Sequence, residues 1–294
     1  MNLKTTLFRK GFDLAVPLFW RKHKNEHISS EDKSIPVNGA NITVRVYSPP
    51  GDSPQPTIVY YHGGGFVIGS LNAYDGCCRD LADKTGYQVV SVDYRLAPEH
   101  RFPTAAEDAI AGFEWVRDNA ASINAHAHKL YVCGDSAGGN LAAVVTLAMR
   151  DKGSDAVKGQ VLIYPVTEHY SGARESYISK GKGYALTSAQ MRWFWDSYLT
   201  DSPALESGQT EHPLATPSSH LNHSNLPPAF VLTAENDPLH DEGVAYAEQL
   251  RAAGCQVQLT DYPGYAHGFI GVRGPREEHN KGVADIVAWF QANR

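Results

Sequence analysis

The sequence predicts an α/β fold: a mainly parallel central sheet covered by helices on both faces, as a three-layer sandwich. Three observations carry this. From residue 40 onward, short β-branched runs alternate with longer helical patterns. Several of the runs are apolar nearly throughout, as strands covered on both faces are. The sharpest turn motif in the chain falls between one such run and a helical pattern.

Residues 1–38 stand outside the rhythm and read as an amphipathic helix followed by a polar stretch. The run 42–47 (ITVRVY) alternates with period two, as a half-buried or edge strand does. Further strands are expected at 57–61 (TIVYY), 89–93 (VVSVD), 130–133 (LYVC), 161–164 (VLIY), 230–233 (FVLT) and 257–262 (VQLTDY). Between them, helical patterns fall near 76–86, 104–120, 137–151, 242–253 and 277–291. Strands joined through helices imply right-handed crossovers and parallel pairing. Residues 165–215 break the rhythm again, with an aromatic-rich helix at 188–199 (SAQMRWFWDSYL) inside them. An insertion of that length between strands usually has a function, often as a lid.

Composition removes several classes. The 294 residues are 42% hydrophobic and 20% charged, with 26 Gly and 17 Pro, which excludes collagen-like, coiled-coil and disordered chains. A net charge of −6 without a long basic run leaves no electrostatic footprint for nucleic acid. Cys77, Cys78, Cys133 and Cys255 form no C-x-x-C pair and read as small buried or half-buried thiols. Lys4, Arg9 and Lys10 precede an apolar stretch, but Asp13 and Pro17 interrupt it and no small-x-small cleavage site follows. No run approaches 18 apolar residues, so no membrane span is expected and the cytoplasm is the expected location. No broad apolar surface for docking to lipid is evident either.

The turn motif is Gly134-Asp135-Ser136-Ala137-Gly138-Gly139, a G-x-S-x-G flanked by an apolar strand and a helix. A serine there sits on a tight turn at a helix N-terminus, where free N–H groups favour developing negative charge. The superficially similar Gly51-Asp52-Ser53 lacks the closing glycine and follows no apolar strand. His62-Gly63-Gly64-Gly65 follows TIVYY directly. Acyl transfer builds an oxyanion that needs backbone N–H donors, and consecutive glycines let the backbone come close to a ligand. Serine also needs a base, and the base a carboxylate. Asp237 and His267 lie just past predicted strands, at the sheet edge where Ser136 emerges, in the order Ser…Asp…His. No metal is expected. There is no H-E-x-x-H, and His220/His223 and His126/His128 lie in polar, loop-like segments without a carboxylate at useful spacing. The charge run 276–279 reads as a solvated helix start.

HGGG, GDSAGG, DPL, HGF and the run 93–100 (DYRLAPEH) together resemble the hormone-sensitive-lipase family of bacterial esterases. The resemblance covers the chain from about residue 40 to its end. It implies an α/β-hydrolase fold with a helical cap: residues 39–164 and 216–294 as the core, 1–38 and 165–215 as the cap. It implies ester hydrolysis without cofactor, with Ser136 as nucleophile, Asp237 as acid and His267 as base. Gly63, Gly64, Gly65 and Ala137 match the oxyanion loop and its partner, and Arg95 and Glu99 a buried polar support behind the site. His240 and Thr104 are small departures, where such sequences commonly have Arg and Ala. The expected activity is a serine carboxylesterase acting on short-to-medium acyl esters, with Trp193, Trp195 and Tyr184 lining the substrate pocket. An amide, formamide or carbamate hydrolase with the same triad is the nearest rival. A non-catalytic small-molecule receptor on this fold is the rival of another class, and the presence of His267 argues against it. The expected partner is a small-molecule ester, for a monomer or homodimer.

Overall fold

The computed structural model describes residues 3–206 and 208–293; Met1, Asn2, Ser207 and Arg294, which belong to the predicted cap and core segments, lie outside the described residues. The strands are β1 (Ser29–Val37), β2 (Ala40–Ser48), β3 (Gln55–Tyr61), β4 (Gln88–Val92), β5 (Ala125–Asp135), β6 (Val157–Ile163), β7 (Ala229–Asn236) and β8 (Val257–Ala266). They form one sheet in the order β1-β2-β4-β3-β5-β6-β7-β8. The β1–β2 and β2–β4 pairs are antiparallel and the rest of the sheet is parallel.

Each of the seven expected strands is present, and β1 is one more. Its sequence, SSEDKSIPV, reads as a polar stretch because an edge strand buries so little: Ile35 is fully buried, while residues 29–32 are exposed. Pro36 is tolerated because an edge strand has one unpaired side.

The helices are α1 (Leu3–Trp20), α2 (Leu71–Thr85), α3 (Thr104–Asp118), α4 (Ala137–Asp151), α5 (Glu175–Ser179), α6 (Ser188–Leu199), α7 (His240–Ala252) and α8 (Glu277–Ala292). One face of the sheet packs on α3, α4 and α7 and the other on α2 and α8, giving the expected three layers. The start of α2 lies upstream of the expected residue 76 because Ser70 caps it, accepting from Ala73 N at 3.2 Å. The limits of α6 match the expected 188–199, set by a capping box of Thr187 and Gln190.

Helix α1 behaves differently from the core helices. Within α1, Val16 and Trp20 are buried against α2 and α8, while Leu7, Leu14 and Leu18 face solvent. The expectation that no broad apolar surface exists is therefore corrected. A linear reading assigns a helix one apolar face, and this helix carries two. No described helix is long and apolar enough to cross a membrane.

Candidate active site

The turn between β5 and α4 holds Ser136 at φ 57°, ψ −119°, a strained conformation for a residue with a side chain. Its backbone is tied on both sides: Ser136 N donates to Ile163 O at 2.9 Å, and Ser136 O accepts from Asn140 N at 3.1 Å and Val166 N at 3.2 Å. The flanking glycines are required by space. A Cβ on Gly134 would run into the Gly138 carbonyl, and one on Gly138 into the carbonyl of Tyr61 on β3. The serine side of the G-x-S-x-G therefore packs directly on the neighbouring strand.

The glycine loop follows β3. Gly64 has φ +118°, and a Cβ there would collide with the Ile68 carbonyl; a Cβ on Gly65 would enter the Phe194 ring. The three glycines do not play one part. Gly63 donates its N–H to Asp135 Oδ1 at 2.9 Å, so the expected oxyanion set loses it. Neither Gly64 nor Gly65 donates its N–H to a protein group among the described residues. Ala137 opens α4, so its N–H has no partner within the helix.

In the G-x-S-x-G pattern Asp135 is only a variable position. It is 1% exposed and accepts from Tyr60 Oη at 2.7 Å, Tyr74 Oη at 3.0 Å and Gly63 N. Burial pushes its carboxyl up to about 6, against the pull of those three donors and of nearby His267. A buried acid beside the serine thus fixes the start of the glycine loop. The one linear signal was a carboxylate ending an otherwise apolar strand.

Asp237 and His267 meet as expected. Asp237 follows β7, is fully buried, and accepts from Leu239 N at 2.9 Å through Oδ1. Its Oδ2 lies 2.6 Å from His267 Nδ1, on the loop after β8. His267 packs on the Tyr164 ring at 4.5 Å, and Tyr164 is pinned by donating to Ile270 O at 2.7 Å. With Nδ1 engaged, His267 Nε2 has no protein partner among the described residues.

Ser136 and His267 open on one cavity of about 310 Å³, with Gly64 and Gly65 beside them and Phe8, Phe12 and Phe194 opposite. Larger clefts exist, such as one of about 480 Å³ around His169 and Thr200. Bonded chemistry beside a strained serine, rather than volume, picks out the site.

The expected pocket aromatics separate. Trp195 is 1% exposed and packs among Phe66, His169 and Tyr198, away from the cavity. Trp193 lines an outer groove with Leu7 and Phe8. Tyr184 is exposed, with Lys180 Nζ 5.8 Å from its ring centre. Phe194, left out of the expected set, is the aromatic of α6 on the cavity wall. The reason is the 100° step of a helix: three consecutive rings point three ways, and one of them meets the site.

Arg95 and Glu99 do not form a shared support. Arg95 makes a forked pair with Asp108, at 2.8 and 2.7 Å. Glu99, part-exposed, pairs with Arg9 of α1 at 2.6 Å. Arg9 also donates to the carbonyls of Val67 (2.6 Å) and Ala97 (2.5 Å), and Ser70 Oγ donates to Asp13 Oδ1 at 3.0 Å. The glycine loop is thus followed by two polar ties to α1.

The other histidines also needed the fold. His126 and His128 lie on β5 rather than in a loop, and His220 does meet a carboxylate, Asp151 Oδ2 at 2.8 Å. His223 is buried against the Pro217 carbonyl. His279, expected in a solvated helix start, is fully buried and bonded to Asp80 at 3.0 Å. No group of three metal-ligating side chains occurs among the described residues.

Residues 58–271 match a family model described as alpha/beta hydrolase fold. The chain is 40% identical over 289 residues to an ethyl acetate hydrolase of Pseudomonas putida, covering 96% of this chain and 88% of that protein. It is 39% identical to Carboxylesterase NlhH of Mycobacterium tuberculosis, covering 82% and 75%. A hyperthermophilic esterase from the archaeon Pyrobaculum calidifontis superposes with a TM-score of 0.93 at 41% identity, over 99% of this chain and 95% of that one. The chain belongs to the alpha/beta hydrolase fold family. Within that family it falls in the hormone-sensitive-lipase-like branch, beside named esterases.

Proposed function

We propose that the chain is a serine carboxylesterase that hydrolyses short-to-medium acyl esters through an acyl-enzyme. The observation that carries this is the His267–Asp237 pair opening on the same cavity as the strained Ser136. The esterase names of its relatives support the reaction class.

His267 Nε2 takes the proton from Ser136 Oγ as that oxygen attacks the ester carbonyl. Asp237 accepts the Nδ1–H, holds the tautomer that leaves Nε2 basic, and stabilises the imidazolium. The tetrahedral oxyanion is assigned to the N–H groups of Gly64, Gly65 and Ala137. Collapse expels the alcohol, which takes its proton from His267. Water then attacks the acyl-enzyme, giving its proton to His267, and Ser136 leaves with that proton as the carboxylic acid departs. Residues 1–38 and 165–215 are assigned as the cap, because Phe8, Phe12 and Phe194 border the cavity from those segments.

Each CH₂ that fits contributes about 0.8 kcal/mol, so kcat/KM should climb from acetate towards butyrate or hexanoate and then collapse. The test is a p-nitrophenyl ester series from about 2 to 16 carbons, with fluorophosphonate labelling in parallel. Ser136→Ala should lose labelling and at least roughly 10⁴-fold in turnover. Retained labelling would move the nucleophile elsewhere, and a wild-type preference for the longest chains would remove the short-acyl claim.

A further inference from the structure

Helix α1 presents its more hydrophobic side chains to solvent. Leu7, Leu14 and Leu18 are 62%, 73% and 61% exposed, and Phe8 and Phe19 are 42% and 48% exposed. Gly11 and Ala15 are exposed between them, so no polar residue breaks the stripe over its central turns. The inward face holds the polar ties of Arg9 and Asp13 beside buried Val16 and Trp20. Single exposed leucines are ordinary; five large apolar side chains on one face of one helix form a patch.

Charge indicates what covers it. Residues 1–24 hold six Lys and Arg against a single Asp, in a chain whose net charge is −6. Arg9 is turned inward, but Lys10, Arg21 and Lys22 are exposed on α1 and just past its end. An apolar stripe edged by cations is the chemistry of a helix lying in a lipid interface, where leucines enter the acyl boundary and cations meet phosphate. A second copy fits less well, because a two-fold contact through this face would bring the same cations together.

We propose that the outer face of α1 docks the molecule on an anionic lipid surface. Phe8 borders both the outer groove and the catalytic cavity, so docking would present the mouth of the site to the lipid. The proposal is a statement about binding and stands whether or not the site hydrolyses esters.

The full chain is floated with vesicles of phosphatidylcholine alone and of equimolar phosphatidylcholine and phosphatidylglycerol. Binding is expected to the anionic vesicles only. Leu14→Ser with Leu18→Ser should weaken it at least tenfold, and Lys10→Gln and Lys22→Gln about fivefold each. These side chains lie outside the catalytic cavity, so thermal unfolding should match wild type and confirm that the variants fold. Equal binding to neutral vesicles overturns the charge argument and with it the proposal. No vesicle binding also overturns it. If the leucine variants then convert a dimer to a monomer in sedimentation, the occupant is a second copy instead.

Discussion

The floor and the roof of the cavity shared by Ser136 and His267 are built by different means. The floor is backbone: Ser136 on its constrained turn, the glycine loop against Asp135, and Asp237 and His267 on loops at adjacent strand ends. Its key atoms are placed by sheet register and by fully buried polar groups. The roof is side chain: Phe8 and Phe12 from α1 and Phe194 from α6, with an edge-on Phe8–Trp193 contact at 5.7 Å joining the two segments. Two polar ties, through Arg9 and Asp13, join α1 to the floor. Under the proposed reaction the floor sets which bond is broken. The roof sets which substrate reaches the floor, and it joins the floor through those polar ties.

After the loss of Ser136 itself, the largest expected effect breaks the floor. Asp237→Asn keeps the shape but leaves His267 in the wrong tautomer, so kcat should fall roughly 10³- to 10⁴-fold. A variant within tenfold of wild type would show that the pair at 2.6 Å is not used.

A smaller effect tests whether the roof is as separate as its construction suggests. Arg9 holds the Val67 carbonyl, just past the glycine loop, so Arg9→Met should lower kcat by about ten- to a hundredfold with little change in KM. The inhibition constant of a trifluoromethyl ketone, which mimics the tetrahedral intermediate, should rise in parallel. A loss of thermal stability with kcat and inhibitor affinity unchanged would make Arg9 a structural strut only.

The smallest effect reads the floor alone, in stability rather than rate. Burial lowers the His62 imidazole from 6.5 to about 4, and Nδ1–H donates to the Gly63 carbonyl at 2.7 Å. The folded state therefore holds this ring neutral where the unfolded chain protonates it. Its contribution is fully present above pH 6.5 and is lost as pH falls towards about 4, at up to about 1.4 kcal/mol per pH unit. Urea titrations at intervals across that window should show a shallower slope in His62→Gln. An unchanged slope would place the acid sensitivity in another group.

Much of the floor was legible because its residues sit where element types change. A strand, then Ser136, then a helix is a local pattern, and Asp237 and His267 likewise follow strands. What escaped the sequence depends on direction and on distant partners. Which ring of the 193–195 trio faces the cavity is a matter of helix rotation. That Gly63 is committed to Asp135 is a contact across 72 positions. That Glu99 answers Arg9 rather than Arg95 is one across 90. Strand β1 escaped for another reason, since an edge strand needs few apolar residues to be stable.

The C-terminal end of α1 also touches the far end of the chain. Trp20 Nε1–H donates to the carbonyl of Gly271, a buried bond between residues 251 positions apart, on the loop that carries His267. Synthesis makes Trp20 251 residues before Gly271, so the helix emerges long before the acceptor for its anchor. Until Gly271 is made, α1 has no partner for that bond, however well the helix itself has formed. Seating of α1 beside the loop that carries His267 thus comes after the strands between them, and not with formation of the helix itself.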